Sequence, residues 1–392
     1  MIATEITSMN ARRDSGQGRL PGDEKYMTCA IALARRGIGR VSPNPPVGCV
    51  IVRDEKVVGK GYHGQFGGPH AEIQALGCAG KKTRGATAYI TLEPCAVSFA
   101  DKKTPPCTEA LLSAGVIRVV IAARDPNPRV NGEGIAQLQA AGIEVTEGIL
   151  AHEGARLIRG FRKWIRTGRP FIILKVARTR DDFVVACLES GNWFTSSESR
   201  RWVHRLRAEV DGVLVGRKAA EKDNPRLTVR EVTGTNPRRV VLDSHLRLPT
   251  NLHLFQDGAA PTLVFTTVGE SKVTPWGEQI KVSPSPAGVN LSEVLDALGE
   301  RGITTLLVEG GPTVHREFIR AGLVDEVVLF TAPRCADEEV QKRPGLRNAV
   351  VIPKNWRPVT QNDLEGDTMI VAEPVNPSYE ASIHTDIPES NT

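Results

Sequence analysis

No stretch of the 392-residue chain approaches the roughly 18 consecutive apolar residues that a bilayer-spanning helix needs, so no membrane span or membrane partner is expected. The opening MIATEITSMNARRDSGQGRL has no apolar core to serve as a secretory leader, and a cytoplasmic protein is expected. Aromatic residues are scarce at 5%, and the 50 Lys and Arg are interleaved with 45 Asp and Glu to a net +5. The basic, aromatic-studded stripe of a nucleic-acid binder is therefore missing, and no nucleic-acid partner is expected. Seven cysteines, an odd number spread over a long chain, do not make a disulfide framework and read as thiols. A GxGxxG fingerprint is absent from the second half of the chain, which removes the ordinary dinucleotide-binding site of a Rossmann domain there.

What remains, 40% hydrophobic and 24% charged, is enough for packed cores, and the length predicts two domains. Residues 1–22 are polar and aperiodic and read as a tail. A helix near Tyr26 to Arg35 is followed by the strand run VGCVIV. Helical HAEIQAL, CTEALLSAG and GIAQLQAAG then alternate with strand-like ATAYITL, VIRVVIAA and IEVTEG, which predicts a sheet covered by helices over 23–148. The pattern restarts at FIILKVA and recurs at GVLVG, RRVVLD, TLVFTT, TTLLVEGG and EVVLFTAP, with helices at LSEVLDALGERG and TVHREFIRAG. A second α/β domain is thus expected over 149–375, with a polar tail over 376–392.

Within the first domain, His70 and Glu72 stand in HAE at a helix start, Cys95 follows a strand as Pro-Cys, and Cys107 opens a helix as a second Pro-Cys. One imidazole and two thiolates supply three corners of a zinc tetrahedron and leave the fourth for water. Glu72 then lies close to the metal without being a ligand, where a carboxylate can carry a proton from water to a leaving amine. Zinc deaminases of nucleobases use HxE followed by PCxxC, whereas eleven residues separate the two cysteines here. In the second domain, strand, Gly310-Gly311 and helix start (TTLLVEGG, then PTVHREF) form a junction whose backbone N–H groups suit a pyrophosphate.

The ordered segments PNPPVGCVIV, GYHGQFGGPHAE, ATAYITLEPC, TPPC and RDPNP resemble the deaminase half of the bifunctional deaminase/reductase family of riboflavin biosynthesis. The later segments ILKVA, NWFTS, RRWVHRLRAEVDGVLVG, KDNPRLTVR, VVLDS, LLVEGGPTV and AGLVDEVVLFTAP resemble its reductase half. The resemblance implies an α/β protein in which a cytidine-deaminase-like three-layer domain precedes a dihydrofolate-reductase-like domain, with Zn2+ and NADPH as cofactors. It implies His70, Cys95 and Cys107 as metal ligands and Glu72 as proton carrier, with Asn44, His63 and Asp125 at the pyrimidine. For the second domain it implies NADPH contacts from Ala177, Trp193, Asp223, Ser244 and Gly310, Gly311, Pro312 and Thr313. Substrate contacts are implied from Arg207, Leu227, Arg230 and Glu309. The implied partner is a small phosphoribosylaminopyrimidine, deaminated and then reduced from ribosyl to ribityl; a homo-oligomer is left open.

Departures from the family pattern are visible. Ala96 and Val97 replace a Ser-His pair, in a longer loop where Lys102 or Lys103 could meet the substrate phosphate. Asp182 stands where glycine is usual, Gly191 for a serine, Ala219 for a threonine and Asn224 for an aspartate. Each missing polar contact costs roughly 0.5 to 1.5 kcal/mol. A charge at Asp182 would repel an anionic cofactor. These changes motivate an alternative: a deaminase of a related pyrimidine whose reductase-like half is weakened.

Overall fold

The computed structural model describes residues 19–96, 106–128, 130–184, 194–343, 346–347, 350 and 355–375. The expected site residue Trp193, together with Gly191, Val97, Lys102 and Lys103, lies outside them. The chain forms two compact units, one from Pro46–Leu157 with the described residues up to Gly37, the other from Ile38–Pro45 and the described residues from Ile158 onward. The first unit thus runs past the boundary read at 148, because Leu150 and Leu157 pack in its core beside Ile149.

The first unit runs α1 (Asp23–Ala34), β1 (Gly48–Arg53), β2 (Lys56–Tyr62), α2 (Ala71–Ala79), β3 (Thr87–Leu92), α3 (Cys107–Ser113), β4 (Arg118–Ala123), α4 (Glu133–Ala140), β5 (Glu144–Glu147) and α5 (Ala151–Leu157). Its sheet has the order β2-β1-β3-β4-β5, antiparallel across β2, β1 and β3 and parallel across β3, β4 and β5. The two-residue period of the strands sorts side chains to opposite faces. Cys49 and Ile51, Ala88 and Ile90, Val119 and Ile121 pack against α2, α3 and α4, whereas Val50, Val52, Tyr89 and Val120 pack against α1. Three layers result. Gly61 on β2 sets the spacing to α2, because a Cβ there would lie 2.2 Å from the carbonyl oxygen of Ala71. On the far face Arg118 forks onto Asp23 at 2.9 Å through both terminal nitrogens, and the Tyr89 hydroxyl donates to the same carboxylate.

The second unit continues with α6 (Arg159–Thr167), β6 (Phe171–Arg178), α7 (Ser197–Glu209), β7 (Gly212–Gly216), α8 (Arg217–Asp223), β8 (Arg238–Leu242), α9 (His253–Gln256) and β9 (Thr262–Thr266). Four short strands follow: β10 (Lys272–Thr274), β11 (Gly277–Lys281), β12 (Pro284–Ser285) and β13 (Gly288–Val289). Then come α10 (Leu291–Glu300), β14 (Thr305–Val308), α11 (Pro312–Arg320), β15 (Glu326–Thr331), α12 (Glu338–Gln341), β16 (Trp356–Leu364) and β17 (Asp367–Pro374). The large sheet has the order β10-β11-β9-β8-β7-β14-β6-β15-β17-β16, parallel from β11 to β15 and antiparallel at both edges.

Its central strands are apolar on both faces, as strands covered by helices on each side must be. Ile172, Leu174, Leu214 and Leu306 join α10 and α11 in one core, while Phe171, Ile173, Val213 and Leu307 join α7 and α8 in the other. The carboxyl ends of β6, β7, β8 and β14 open together, the place where parallel α/β sheets hold ligands.

Candidate active sites

His70 caps the start of α2 and Glu72 occupies that helix's first turn; Cys107 is the first residue of α3. The ligand atoms of His70, Cys95 and Cys107 lie within 4.8 Å of one another, the one such His, Cys or carboxylate group found among the described residues. His70 Nδ1 is 3.3 Å from Cys107 Sγ and 3.7 Å from Cys95 Sγ. A zinc ion bonded to nitrogen and sulfur at tetrahedral angles separates those donors by about 3.5 Å, so the donor set fits the metal in both chemistry and spacing. The Cys107 backbone N–H points at Cys95 Sγ from 3.4 Å, a contact that favours thiolate over thiol. Glu72 is 3% exposed, and burial, followed by the negative charge of Cys95, pushes its carboxyl upward from the ordinary range. A carboxyl poised in this way takes and returns protons readily.

Two of the three residues implied for the pyrimidine sit close to this cluster. The buried His63 ring packs edge-on to His70 with centroids 5.6 Å apart. Its Nδ1–H donates to the Pro69 carbonyl at 3.1 Å, which fixes the tautomer because that oxygen only accepts. Asp125 follows β4, and its carboxyl is pushed up to about 6 by burial and then by the charges of Glu93 and Cys95. Asn44 lies in a turn closed by its N–H on the Val41 carbonyl at 2.9 Å, ahead of β1.

Glu93, which the sequence reading passed over, organises the loop that holds Asp125. Its buried carboxylate accepts four backbone N–H groups: Asp125 at 3.2 Å and Gly132 at 3.0 Å on one oxygen, Gly134 at 2.9 Å and Ile135 at 3.4 Å on the other. Gly134 permits this approach, since a Cβ there would meet the Pro94 carbonyl oxygen at 2.1 Å.

In the second unit a cavity of about 760 Å³ is lined by all four residues implied for the substrate, Arg207, Leu227, Arg230 and Glu309, and by Ala177 and Asp223. Six Lys or Arg side chains line it against three carboxylates. Arg207 does not stand free in it. Its Nε and one terminal nitrogen fork onto Glu309 at 2.6 and 2.9 Å, and the other terminal nitrogen donates to the Thr228 carbonyl at 3.1 Å. Burial alone would raise Glu309, yet the Arg207 charge and hydrogen bonds, with Lys175 at 3.9 Å, pull it down to about 2. The neighbouring Arg230 guanidinium donates to the Thr228 hydroxyl at 3.1 Å.

A second pocket of about 260 Å³ is lined by Ser244, Gly311, Pro312 and Thr313, with apolar walls from Leu242, Val289 and Leu291. Ala219 borders both spaces, so slot and cavity adjoin. Nothing lies within 4 Å of where a Cβ on Gly311 would stand, whereas one on Gly310 would press on Val314 at 2.7 Å. An open backbone turn at a helix start, beside a pocket with apolar walls, suits a dinucleotide. Two of the departures noted in sequence acquire explanations. Asp182 adopts φ 69°, the left-handed conformation that glycine takes freely, and its carboxylate is paired with Arg178 at 2.7 Å. Asn224, at φ 38°, accepts the His253 N–H at 2.9 Å, and asparagine tolerates such a backbone better than most residues.

Comparison with known proteins divides the chain at the same two sites. A family model described as the cytidine and deoxycytidylate deaminase zinc-binding region matches residues 21–123, and one described as the RibD C-terminal domain matches residues 170–336. The riboflavin biosynthesis protein RibD of Aquifex aeolicus is 43% identical over 81% of this chain and 88% of its own length; that of Escherichia coli is 39% identical over 85% and 94%. Among solved structures, Acinetobacter baumannii RibD superimposes with a TM-score of 0.78 at 35% identity, covering 90% of this chain and 99% of the other. A diaminohydroxyphosphoribosylaminopyrimidine deaminase/5-amino-6-(5-phosphoribosylamino)uracil reductase from Thermotoga maritima does so with 0.76 at 36%, covering 90% and 98%. With a zinc-fitting His-Cys-Cys cluster in one unit and a pocket at a helix start beside a cationic cavity in the other, the chain belongs to the RibD family, the bifunctional deaminase/reductases of riboflavin biosynthesis that use Zn2+ and NADPH.

Proposed function

We propose that the first unit removes an amino group from 2,5-diamino-6-(5-phosphoribosylamino)pyrimidin-4-one and that the second reduces the ribosyl group of the product to ribityl. The observation that carries this reading is the convergence of His70, Cys95 and Cys107 beside a buried Glu72. The substrate class is that of the Thermotoga maritima relative, a deaminase of a phosphoribosylaminopyrimidine. In this reading the three ligands hold zinc, which when bound supplies a reactive water to the ring carbon. Glu72 takes the proton and delivers it to the departing ammonia. His63 and Asp125 border the pyrimidine. The slot formed by Ser244 and Gly311 to Thr313 takes NADPH, with Gly310, Ala177 and Asp223 as further contacts; the cofactor supplies the hydride. Arg207, Leu227, Arg230 and Glu309 hold the sugar phosphate. The enzyme works in the cytoplasm on small molecules alone, with no nucleic-acid or membrane partner, and is free to assemble as a homo-oligomer.

Incubating the zinc-loaded protein with this substrate, with and without NADPH, tests both halves. One ammonia released per substrate and one NADPH consumed per deaminated product are expected. Ammonia release without NADPH oxidation would overturn the reductase assignment and favour the weakened-reductase alternative that Ala219 motivates. No ammonia release from zinc-loaded protein would overturn the deaminase assignment.

A further inference from the structure

Helix α7 presents Arg200, His204 and Arg207 to the cavity of the second unit from one stripe of its surface. Arg207 is committed to Glu309, as described above. His204 is 5% exposed, and its Nδ1 accepts the backbone N–H of Arg230 at 3.1 Å. A ring nitrogen that accepts carries no proton, so the proton resides on Nε2, which faces Glu231 at 3.9 Å.

The Arg230 peptide belongs to the connection between α8 and β8, which has no ladder of strand hydrogen bonds to hold it. Individual contacts hold it instead. Asn224 Oδ1 takes the His253 N–H, Arg207 donates to the Thr228 carbonyl, the Val229 N–H donates to Asn236, and the Arg230 N–H donates to His204. The contact to His204 is the one made at the residue whose guanidinium borders the cavity. Around Arg230 stand Arg207 and Arg226, which with burial pull its pKa down, against the carboxylates of Glu231 and Glu309. Such a crowding of guanidinium groups is relieved by an anion.

We propose that His204 is a positioning residue for the reductase: by accepting the Arg230 N–H it fixes the loop that aims the Arg230 guanidinium at the substrate phosphate. This rests on the reading of the cavity as the site of the phosphoribosyl substrate. The ring acts through Arg230 and touches no reacting atom. Burial, followed by the charges of Arg207 and Arg230, holds His204 below its ordinary pKa and keeps the accepting lone pair available.

The test uses a pair matched in size. His204→Asn keeps an acceptor near the position of Nδ1, and His204→Leu has the same bulk with none. Steady-state reduction of the deaminated substrate at saturating NADPH is measured in the full-length, zinc-loaded protein, with thermal melting as the check on folding. The Leu variant is expected to raise KM for that substrate about five- to tenfold, the worth of one neutral hydrogen bond, with kcat and KM for NADPH changed less than twofold. The Asn variant is expected within about twofold of wild type. On an Arg230→Ala background the Leu substitution should have no further effect, because the group it positions is gone. Should the Leu variant not fold, His204→Ala replaces it with the same expectations.

An unchanged KM in the Leu variant, an Asn variant as impaired as the Leu variant, or additive effects in the double variant would each overturn the positioning role. If Arg230→Ala alone leaves KM unchanged, the aim of Arg230 at the phosphate is overturned with it. Failure of the wild-type protein to oxidise NADPH with this substrate is a different outcome, and it overturns the parent reading of the cavity.

Discussion

Around His70 the first unit gathers negative charge, from Glu72, Glu93, Cys95 and Asp125, and pushes carboxyl groups up, Asp125 to about 6. The second unit's cavity gathers positive charge and, despite burial, pulls Glu309 down to about 2. The same kind of side chain is thus tuned in opposite directions by its neighbours. A surplus of thiolate and carboxylate makes a place for a divalent cation, and a surplus of guanidinium and ammonium makes a place for phosphates. The donors of the first site converge on a point that one ion can share, whereas the second site is held together by an internal pair, Arg207 with Glu309.

The largest expected effect separates the two sites by chemistry. Glu72→Gln should lower the deamination rate by about 10²- to 10⁴-fold with zinc content unchanged, and leave NADPH oxidation on deaminated substrate as it was. Ammonia release, metal analysis and absorbance at the nicotinamide band measure the three quantities. Parallel loss of both activities in a folded, metal-loaded variant would erase the distinction between the sites. Stripping the metal with a chelator should produce the same split.

Next in size is the internal pair. Glu309→Ala leaves Arg207 buried without its counter-charge and should destabilise the second unit by about 3 to 5 kcal/mol at neutral pH in a denaturant titration, with deamination retained. The pH dependence has a definite sign. Glu309 is held below its ordinary value of 4.5, so the stability it contributes is complete above that pH and is lost as pH falls through about 2. The gap between wild type and variant should therefore close toward acid. A gap that widened there would remove the pair as the organiser of the cavity.

A smaller effect probes what the first unit has besides its metal. Glu93→Gln exchanges one accepting oxygen for a donor that faces two backbone N–H groups, and should cost about 2 kcal/mol and reduce deaminase kcat/KM about tenfold. NADPH oxidation should be untouched. Smallest of all, Asp182→Gly should shift stability by less than about 1 kcal/mol, since relief of the left-handed backbone is offset by added chain entropy. It should leave KM for NADPH unchanged, because the Asp182 charge is already paired with Arg178. A clear fall in that KM would show that the carboxylate does repel the cofactor.

The metal cluster was legible because its donors are rare residue types in marked settings, His-Ala-Glu and two Pro-Cys pairs, and the helices and strands carrying them have strong apolar periods. Glu93 was not, because what it binds is backbone. The N–H groups of residues 125, 132, 134 and 135 leave no mark in sequence beyond the glycines of NGEG. Arg207 and Glu309 were singled out through family resemblance, but their union across 102 positions is a property of α7 and the end of β14 meeting, which no local pattern reports. The edge strands β10 and β16, and β17 beside the latter, also escaped the reading. β16, with RPVTQND, is polar on both sides and lacks the alternation that reveals a half-buried strand. Asp182 shows the converse, a visible departure whose meaning depended on a dihedral angle.

Residue 61 shapes the proposed deaminase site through what it omits. A methyl group on that strand would overlap the helix that begins at His70 and carries Glu72, 2.2 Å from the Ala71 oxygen and 2.5 Å from the Ala75 nitrogen. To restore ordinary contact the helix would have to retreat by about 1 Å, a displacement that can cost a hundredfold in rate when reacting groups are held in register. The placement of Glu72 beside the His70, Cys95 and Cys107 cluster is thus set from behind by a single hydrogen atom on β2.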